Sequence, residues 1–361
     1  MKKFKLAIIG QGRSGRNIHG RFFLSKGNAF VEVVAVVDFD PERRERALQE
    51  YPGCEVYADY RELFQRDDLD LVVNTTFSDL HYSVTKDLLG HGFNVVVEKP
   101  MARSYCECSD LIRTAKEKGV LLAVFQQTML APFYTNVRDA VKSGKLGKIR
   151  EISIRYNGFS RRWDWQTMQC RLGGSLYNTG PHPVSFALDM LDFDPETQLV
   201  YSKLSVEQTS GDADDYAKLI LTAPGKPVVD VEVSSIDAFK GPIIKVQGSQ
   251  GTLQLNPDRS YTIKYVIPGE NPERPLIREP LKDEDGLPVY CREELQFHEE
   301  TVENPQYPWD ESSRRFYEMV YNKLTADVPM AVTAEMAAQI IRIIETAHAQ
   351  NPLPVWCNKE G

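Results

Sequence analysis

Apolar residues in the first third of the chain come in short runs, separated by longer stretches with helical spacing. Residues 4–9 and the β-branched run at 31–37 have the character of buried strands. Residues 71–73, 94–97 and 120–125 repeat the pattern. Helices are predicted over residues 14–26, from Pro41 to about Gly53, over 79–90, and over 104–118, where Gly119 provides a C-terminal stop. Strand–helix alternation of this kind predicts an α/β fold, with a parallel sheet covered by helices on both faces.

After about residue 149 the rhythm changes. Segments 150–157, 198–208, 215–222, 228–235, 243–247, 252–255 and 261–267 read as strands, joined by turns such as Ala223-Pro224-Gly225. Few helices intervene, so a large, open, mixed and mostly antiparallel sheet is expected. Residues 268–310, rich in proline and charge, predict a long loop or arm. Helices at 310–325 and 333–350 close the chain, and Thr333 is fit to cap the second. At roughly 150 residues per domain the length suits two domains. The expected division is a dinucleotide-binding domain over 1–125 and a substrate-binding and oligomerisation domain over 126–361.

Composition narrows the function. A net charge of −8 argues against bulk binding to nucleic acid or to an anionic membrane surface. No apolar run reaches the ~20 residues of a membrane-spanning helix. The start of the chain is basic then apolar, but the apolar part is short and leads into Gly10, so it reads as a first strand rather than a signal peptide. The cysteines Cys54, Cys106, Cys108, Cys170, Cys291 and Cys357 are scattered and none forms a C-x-x-C pair. Reduced thiols in a cytoplasmic protein, with no metal site, are expected.

Gly10-Gln11-Gly12-Arg13-Ser14-Gly15 follows the first strand and opens a helix, and Asp38 ends the next strand, 23 residues after Gly15. This is the spacing of a dinucleotide-binding Rossmann fingerprint. Gly10 permits the tight turn, Gly12 lets the backbone approach the pyrophosphate, and Gly15 lets helix and strand pack closely. The helix N-terminus offers unpaired N–H groups to the phosphates. The Asp38 carboxylate accepts from ribose hydroxyls and repels a 2′-phosphate, which favours NAD; Arg43 and Arg44 leave NADP possible.

Two further segments carry candidate chemistry. Glu98-Lys99-Pro100 stands at the C-terminal end of a predicted parallel strand, where open α/β sheets bind ligands. Proline keeps Lys99 out of the helical region. An ordinary strand end with two solvated charges would read the same. In Gly173-Gly174-Ser175-Leu176-Tyr177-Asn178-Thr179-Gly180-Pro181-His182-Pro183, Asn178 and His182 are one helical turn apart if the stretch is helical. Pro183 suits the first position of a helix over 184–191. The helix dipole would then keep His182 neutral, as a general base must be; a capping or core histidine is the alternative. Arg161-Arg162-Trp163-Asp164-Trp165-Gln166 combines rings and charges that suit sugar binding, or a surface loop or subunit contact.

Taken together, the glycine fingerprint, Glu98-Lys99-Pro100 and the Gly-Gly…Asn-x-x-x-His segment resemble the glucose-fructose oxidoreductase / inositol dehydrogenase / rhizopine-catabolism (Gfo/Idh/MocA) family. Ser143-Gly144-Lys145-Leu146-Gly147-Lys148 is similar to that family's link into its second domain. The resemblance implies reversible hydride transfer between NAD(P) and a secondary alcohol or carbonyl of a sugar, inositol or related polyol. It places the lysine that touches both nicotinamide ribose and substrate hydroxyl at Lys99, and the proton-handling histidine at His182. The cofactor candidates in these motifs are Thr75, Thr76, His81, Glu98 and Gln127; the substrate candidates are Asn178, with Arg162, Trp163 and Trp165 for their charge and rings. Asn178 stands where the family has Asp, and an amide orients but does not shuttle protons. The family's T-P-N-x-x-H loop appears as Thr76-Phe77-Ser78-Asp79-Leu80-His81, and its Asn-Arg-Arg-like segment as Gln126-Gln127-Thr128. Two other functions fit the same motifs: an enzyme that modifies or cleaves glycosides while recycling NAD, and a non-catalytic nucleotide-sensing regulator. A large sheet with one uncovered face implies a homodimer or homotetramer.

Overall fold

The computed structural model describes residues 2–303 and 307–357; Met1, residues 304–306 and residues 358–361 lie outside it. Its first third alternates strand and helix: β1 (Phe4–Ile9), α1 (Arg21–Phe23), β2 (Val31–Val37), α2 (Pro41–Glu50), β3 (Glu55–Tyr57), β4 (Leu71–Asn74), α3 (His81–Gly90), β5 (Val95–Val97), α4 (Tyr105–Lys118) and β6 (Leu122–Val124). The six strands form one parallel sheet in the order β3-β2-β1-β4-β5-β6. The order reverses between β1 and β4, so the ends of those strands open a crevice. Local chemistry sets the helix ends. Asp40 and Ser104 cap α2 and α4 by accepting from Glu42 N and Glu107 N, and Gly119 ends α4 in the left-handed region.

A helix α5 (Pro132–Lys142) leads into β7 (Ile149–Asn157), α6 (Ser175–Asn178), α7 (Pro181–Met190), β8 (Gln198–Ser205), β9 (Tyr216–Thr222), β10 (Val228–Ser234), β11 (Ile244–Gly248), β12 (Gly251–Leu255), β13 (Tyr261–Tyr265) and β14 (His298–Val302), then α8 (Glu311–Ala326) and α9 (Ala334–Gln350). The eight strands form a second sheet in the order β14-β13-β12-β11-β7-β10-β9-β8. Its β7–β10 pair is parallel and the other pairs are antiparallel, the mixed, mostly antiparallel sheet that was expected. Thr333 caps α9 by accepting from Met336 N.

Differences from the sequence reading have physical causes. The helix expected over 14–26 is a π-helical stretch, Gly15–Gly20, running into the short α1. α7 begins at Pro181 rather than Pro183; both prolines fit because the first turn has no intrahelical use for its N–H groups. β3, α5 and β14 were not anticipated. β3 has three residues, and β14 (HEETV) is polar because it forms an edge of the sheet, inside the stretch read as a loop or arm.

One apolar cluster runs from Ala7, Val72 and Val97 of the first sheet through Ile340 and Ile344 of α9 to Ile154, Leu219 and Val231 of the second. A second cluster covers the other face of the first sheet, where Phe316, Tyr317 and Val320 of α8 meet Phe22 and Phe23. Both sheets are therefore tied by buried side chains that come from the C-terminal helices.

Candidate active site

The C-terminal ends of β1, β2, β4 and β5 bring Gly10, Asp38, Thr75 and Glu98 to one edge of the first sheet. Gly10 has φ +93°, and a Cβ there would press on the Thr75 carbonyl; a Cβ on Gly15 would overlap Gly10 O. At Gly12 the nearest neighbour is Arg43 Nη1, 3.9 Å from where a Cβ would stand, so that glycine faces open space. The Gln11 side chain is 2% exposed and both its polar atoms lack a protein partner, as does Gln127 Oε1. A tight turn, an open glycine and orphaned amides fit a bound dinucleotide. Asp38 accepts from Gln11 N at 2.6 Å and Asp40 N at 2.9 Å, and Arg43 Nη1 lies 3.5 Å from its Oδ2.

Thr75 and His81 prove to serve the frame. Thr75 Oγ1 donates toward Ile9 O (2.8 Å) and Gly10 O (2.9 Å), which holds the glycine turn against β4. Thr76 Oγ1 donates to Asn74 Oδ1 at 2.7 Å. His81 is buried, with Nδ1 at 2.7 Å from Pro100 O and Nε2 at 3.2 Å from Thr76 O. Burial lowers its pKa, so the ring is neutral and carries one N–H; the shorter contact makes Nδ1 the donor. His81 thereby anchors the carbonyl that follows Lys99.

Glu98 is buried, and its Oε1 lies 3.2 Å from His19 Nε2, while His19 Nδ1 lies 2.6 Å from the Tyr317 hydroxyl. One tautomer satisfies both contacts: Tyr317 donates to Nδ1 and Nε2–H donates to Glu98. Burial works against the Glu98 charge, yet the His19 hydrogen bond and the Lys99 charge hold its pKa down to about 2. Lys99 Nζ donates to the Asn178 backbone carbonyl at 2.7 Å. Burial lowers the lysine's pKa, Arg13 and Arg162 add to the effect, and Glu98 opposes it.

Asn178 ends α6 and His182 is the second residue of α7, so a break at Thr179-Gly180 separates them. His182 Nδ1 lies 2.9 Å from Thr128 Oγ1. Burial and the Lys99 charge push its pKa down to about 3. Gln126 Nε2 donates to Pro181 O at 2.8 Å, tying the end of β6 to the same helix. Gln166 Nε2 donates to Asn178 Oδ1 at 2.9 Å, and the Arg162 guanidinium holds Gln166 and Asp164. Trp165 packs edge-on against Phe77 at 4.9 Å, whereas Trp163 is 79% exposed. Thr128, His19, Tyr317 and Gln166 belong to this arrangement without having been singled out. Of these, Thr128 and Gln166 stood inside quoted motifs, and nothing local marked the other two.

Beside Asn178 lies a cavity of about 180 Å³ whose walls include Ser160, Arg162, Gln166, Ser175, Thr179 and Thr209. No aromatic or large aliphatic side chain lines it. A larger open groove of about 840 Å³, between α4, the end of α8 and the start of α9, contains none of the predicted residues. Among the described residues no cluster of three or more His, Cys, Asp or Glu could hold a metal ion, and no helix is long and apolar enough to cross a membrane.

A doubly wound sheet with a tight glycine turn and an acid just past β2, next to Lys99 and His182 at the α6–α7 break, has the layout of a nicotinamide-dependent oxidoreductase. The chain belongs to the Gfo/Idh/MocA family: residues 4–126 match its NAD-binding Rossmann fold and residues 138–351 its C-terminal alpha/beta domain. It is similar to scyllo-inositol 2-dehydrogenase (NADP(+)) of Bacillus subtilis, 26% identical over 95% of this chain and 92% of that protein. It is also similar to 2,7-anhydro-N-acetylneuraminate hydratase of Mediterraneibacter gnavus, 27% identical over 79% of this chain and 75% of that one. In fold it resembles an NAD-binding protein from Listeria innocua, with TM-score 0.80 at 22% identity over 99% of this chain and 100% of the other.

Proposed function

We propose that the protein oxidises a secondary alcohol of a cyclic polyol or sugar, reversibly, with NAD as the preferred cofactor and NADP accepted. The observation that carries this reading is Lys99 Nζ held 2.7 Å from the Asn178 carbonyl at the end of α6, with His182 in the first turn of α7 turned by Thr128. Gly10, Gln11, Gly12, Arg13, Ser14 and Gly15 would hold the pyrophosphate, Asp38 the ribose, and Gln127 the nicotinamide end. Bound nicotinamide supplies the hydride acceptor. Lys99 orients the reacting hydroxyl and stabilises the negative charge that develops on its oxygen. With Nδ1–H turned to Thr128, His182 keeps the Nε2 lone pair for the hydroxyl proton and returns that proton in the reverse direction. Asn178 and Gln166 hydrogen-bond neighbouring hydroxyls without moving protons. The all-polar cavity beside them suits a polyhydroxylated ring, and Arg162 lies on its wall.

The division into a cofactor domain over 1–125 and a substrate and assembly domain over 126–361, a cytoplasmic location and a homo-oligomeric state belong to the same proposal. Reduced-cofactor absorbance with scyllo-inositol and a panel of sugars and polyols tests it. At least one substrate should support turnover, and Lys99→Ala should cut its rate by about 10²-fold or more. Silence across the panel, or full activity in Lys99→Ala, would overturn the reading.

A second reading keeps the site but returns the hydride, so that the net reaction is not redox. It is favoured by Asn178 in the family's Asp position and by a relative named as a hydratase. Product formation from a glycoside or anhydro-sugar with catalytic NAD and no net NADH would select it.

A further inference from the structure

Between β8 and β9 the chain reads Asp212-Ala213-Asp214-Asp215, and the three carboxylates are 0, 2 and 5% exposed. Buried carboxylates are costly unless their lone pairs are met. Here backbone N–H groups meet them, from distant segments for Asp212 and Asp214 and from the preceding loop for Asp215. Asp212 accepts from Gln169 N at 2.8 Å and from Trp356 N and Cys357 N at 2.9 Å each. Asp214 accepts from Leu176 N at 2.8 Å and faces His348 Nε2 at 3.2 Å. Asp215 accepts from Glu207 N (2.8 Å), Gln208 N (2.6 Å) and Thr209 N (2.7 Å). The main chain of this segment adds Ser175 N to Asp214 O at 2.6 Å and Ser235 N to Asp215 O at 2.9 Å. Ser175, Thr209 and Ser235 all line the polar cavity.

We propose that this segment is the positioning hub of the polyol site, and that Asp215 and Asp214 act on different kinetic quantities. The inference rests on the polyol reading given above. Asp215 governs the fit of the bound substrate. It fixes Thr209, whose hydroxyl donates to Arg162 O at 3.3 Å, while Ser210 N donates to the same oxygen at 2.9 Å. Arg162 then holds Gln166, and Gln166 holds the Asn178 amide. Asp214 governs the reacting end. It fixes the first turn of α6, and α6 ends at the carbonyl that receives the Lys99 ammonium. His348, bonded to Asp214 and stacked on Tyr177 at 4.7 Å, backs the same helix.

The test uses the full chain with NAD and scyllo-inositol, or the best polyol of the panel if that compound is inert. Asp215→Asn should raise KM by about tenfold or more with kcat within about twofold, because it weakens charge-assisted bonds that shape the ground-state pocket. Asp214→Asn should lower kcat by about tenfold with KM within about threefold. Both should leave NADH affinity, read by fluorescence, within about twofold. Should these variants not fold, Thr209→Val and His348→Phe cut the same two links more gently and should show the same split at about threefold. Hydrogen–deuterium exchange should rise at residues 206–210 for the first pair and 175–178 for the second. Equal changes in kcat and KM, lost NADH affinity, or exchange raised across the whole second sheet would reduce the hub to a folding element and overturn the proposal. If the wild-type protein turns over no polyol, the polyol reading fails instead. Exchange then decides alone: local loosening upholds the hub and general loosening overturns it.

Discussion

Lys99 is held by the Asn178 carbonyl, and its charge bears on His182. Burial is the larger cause of the low His182 pKa and the Lys99 charge the second. Replacing Lys99 by methionine keeps the apolar stem and removes the charge. The histidine pKa, read by NMR titration, should rise from about 3 but stay below 6.5, because burial persists. A value unchanged by the substitution would separate the two side chains. Asn178→Asp restores a carboxylate at the family's position and should raise the pKa values of both Lys99 and His182; a fall in either would contradict this geometry. Motif spacing named all three as candidates, and the family resemblance gave them their proposed roles. Thr128, which turns the His182 ring, was not: a threonine four residues past β6 has no local signature until α7 is brought against it.

At the scale of elements, the glycine turn separates two roles that the motif presents as one. Gly15 is a packing glycine: a side chain there would overlap Gly10 O and crowd Thr75. Gly12 is an approach glycine with space beside it. Gly15→Ala should therefore lower Tm by many degrees, whereas Gly12→Ala should keep Tm within about two degrees and weaken NADH binding by about tenfold or more. Thermal melts and fluorescence titration of both variants check this, and an inverted pattern would refute the assignment. The motif predicted where the turn lies. It did not predict the π-helical stretch after it, nor the break between α6 and α7 that gives Asn178 a carbonyl aimed at Lys99. Those details depend on what packs on each turn, as Tyr51 does on Gly20.

For the whole molecule, histidines with shifted pKa values make stability depend on pH. His182 and His81 have folded pKa values depressed below 6.5, so below that pH the unfolded chain binds more protons. Each contributes stability that is present above 6.5 and lost as pH falls, at most about 1.4 kcal/mol per pH unit. Glu98, held to about 2, adds a loss below 4.5. His348 runs the other way. Burial alone would lower its pKa, but Asp214 raises it, so its contribution is full below 6.5 and lost as pH rises through the folded value. Tm should therefore fall between pH 6.5 and 4, and His182→Asn should flatten the slope; calorimetry across that range measures both. Assembly belongs to this scale too. Leu276, Ile277, Leu287 and Tyr290 of the long arm are exposed at 56% or more. Light scattering should find a dimer or tetramer, and a monomer at every concentration would remove the oligomer from the proposal.

The sequence by itself determined the parallel first sheet, the mixed second sheet and the place of the glycine turn, and it named Lys99 and His182 as candidates. Each rests on short-range pattern: strand and helix periodicity, glycine where backbone must pass, an acid at a strand end. Only the tertiary structure decided what surrounds them. Tyr317 reaches His19 across 298 residues and His348 reaches Asp214 across 134. Asp212 and Asp214 are buried where remote backbone N–H groups meet their carboxylates. A carboxylate's burial depends on donors that only the folded chain brings within hydrogen-bond reach, and no spacing along the sequence encodes that.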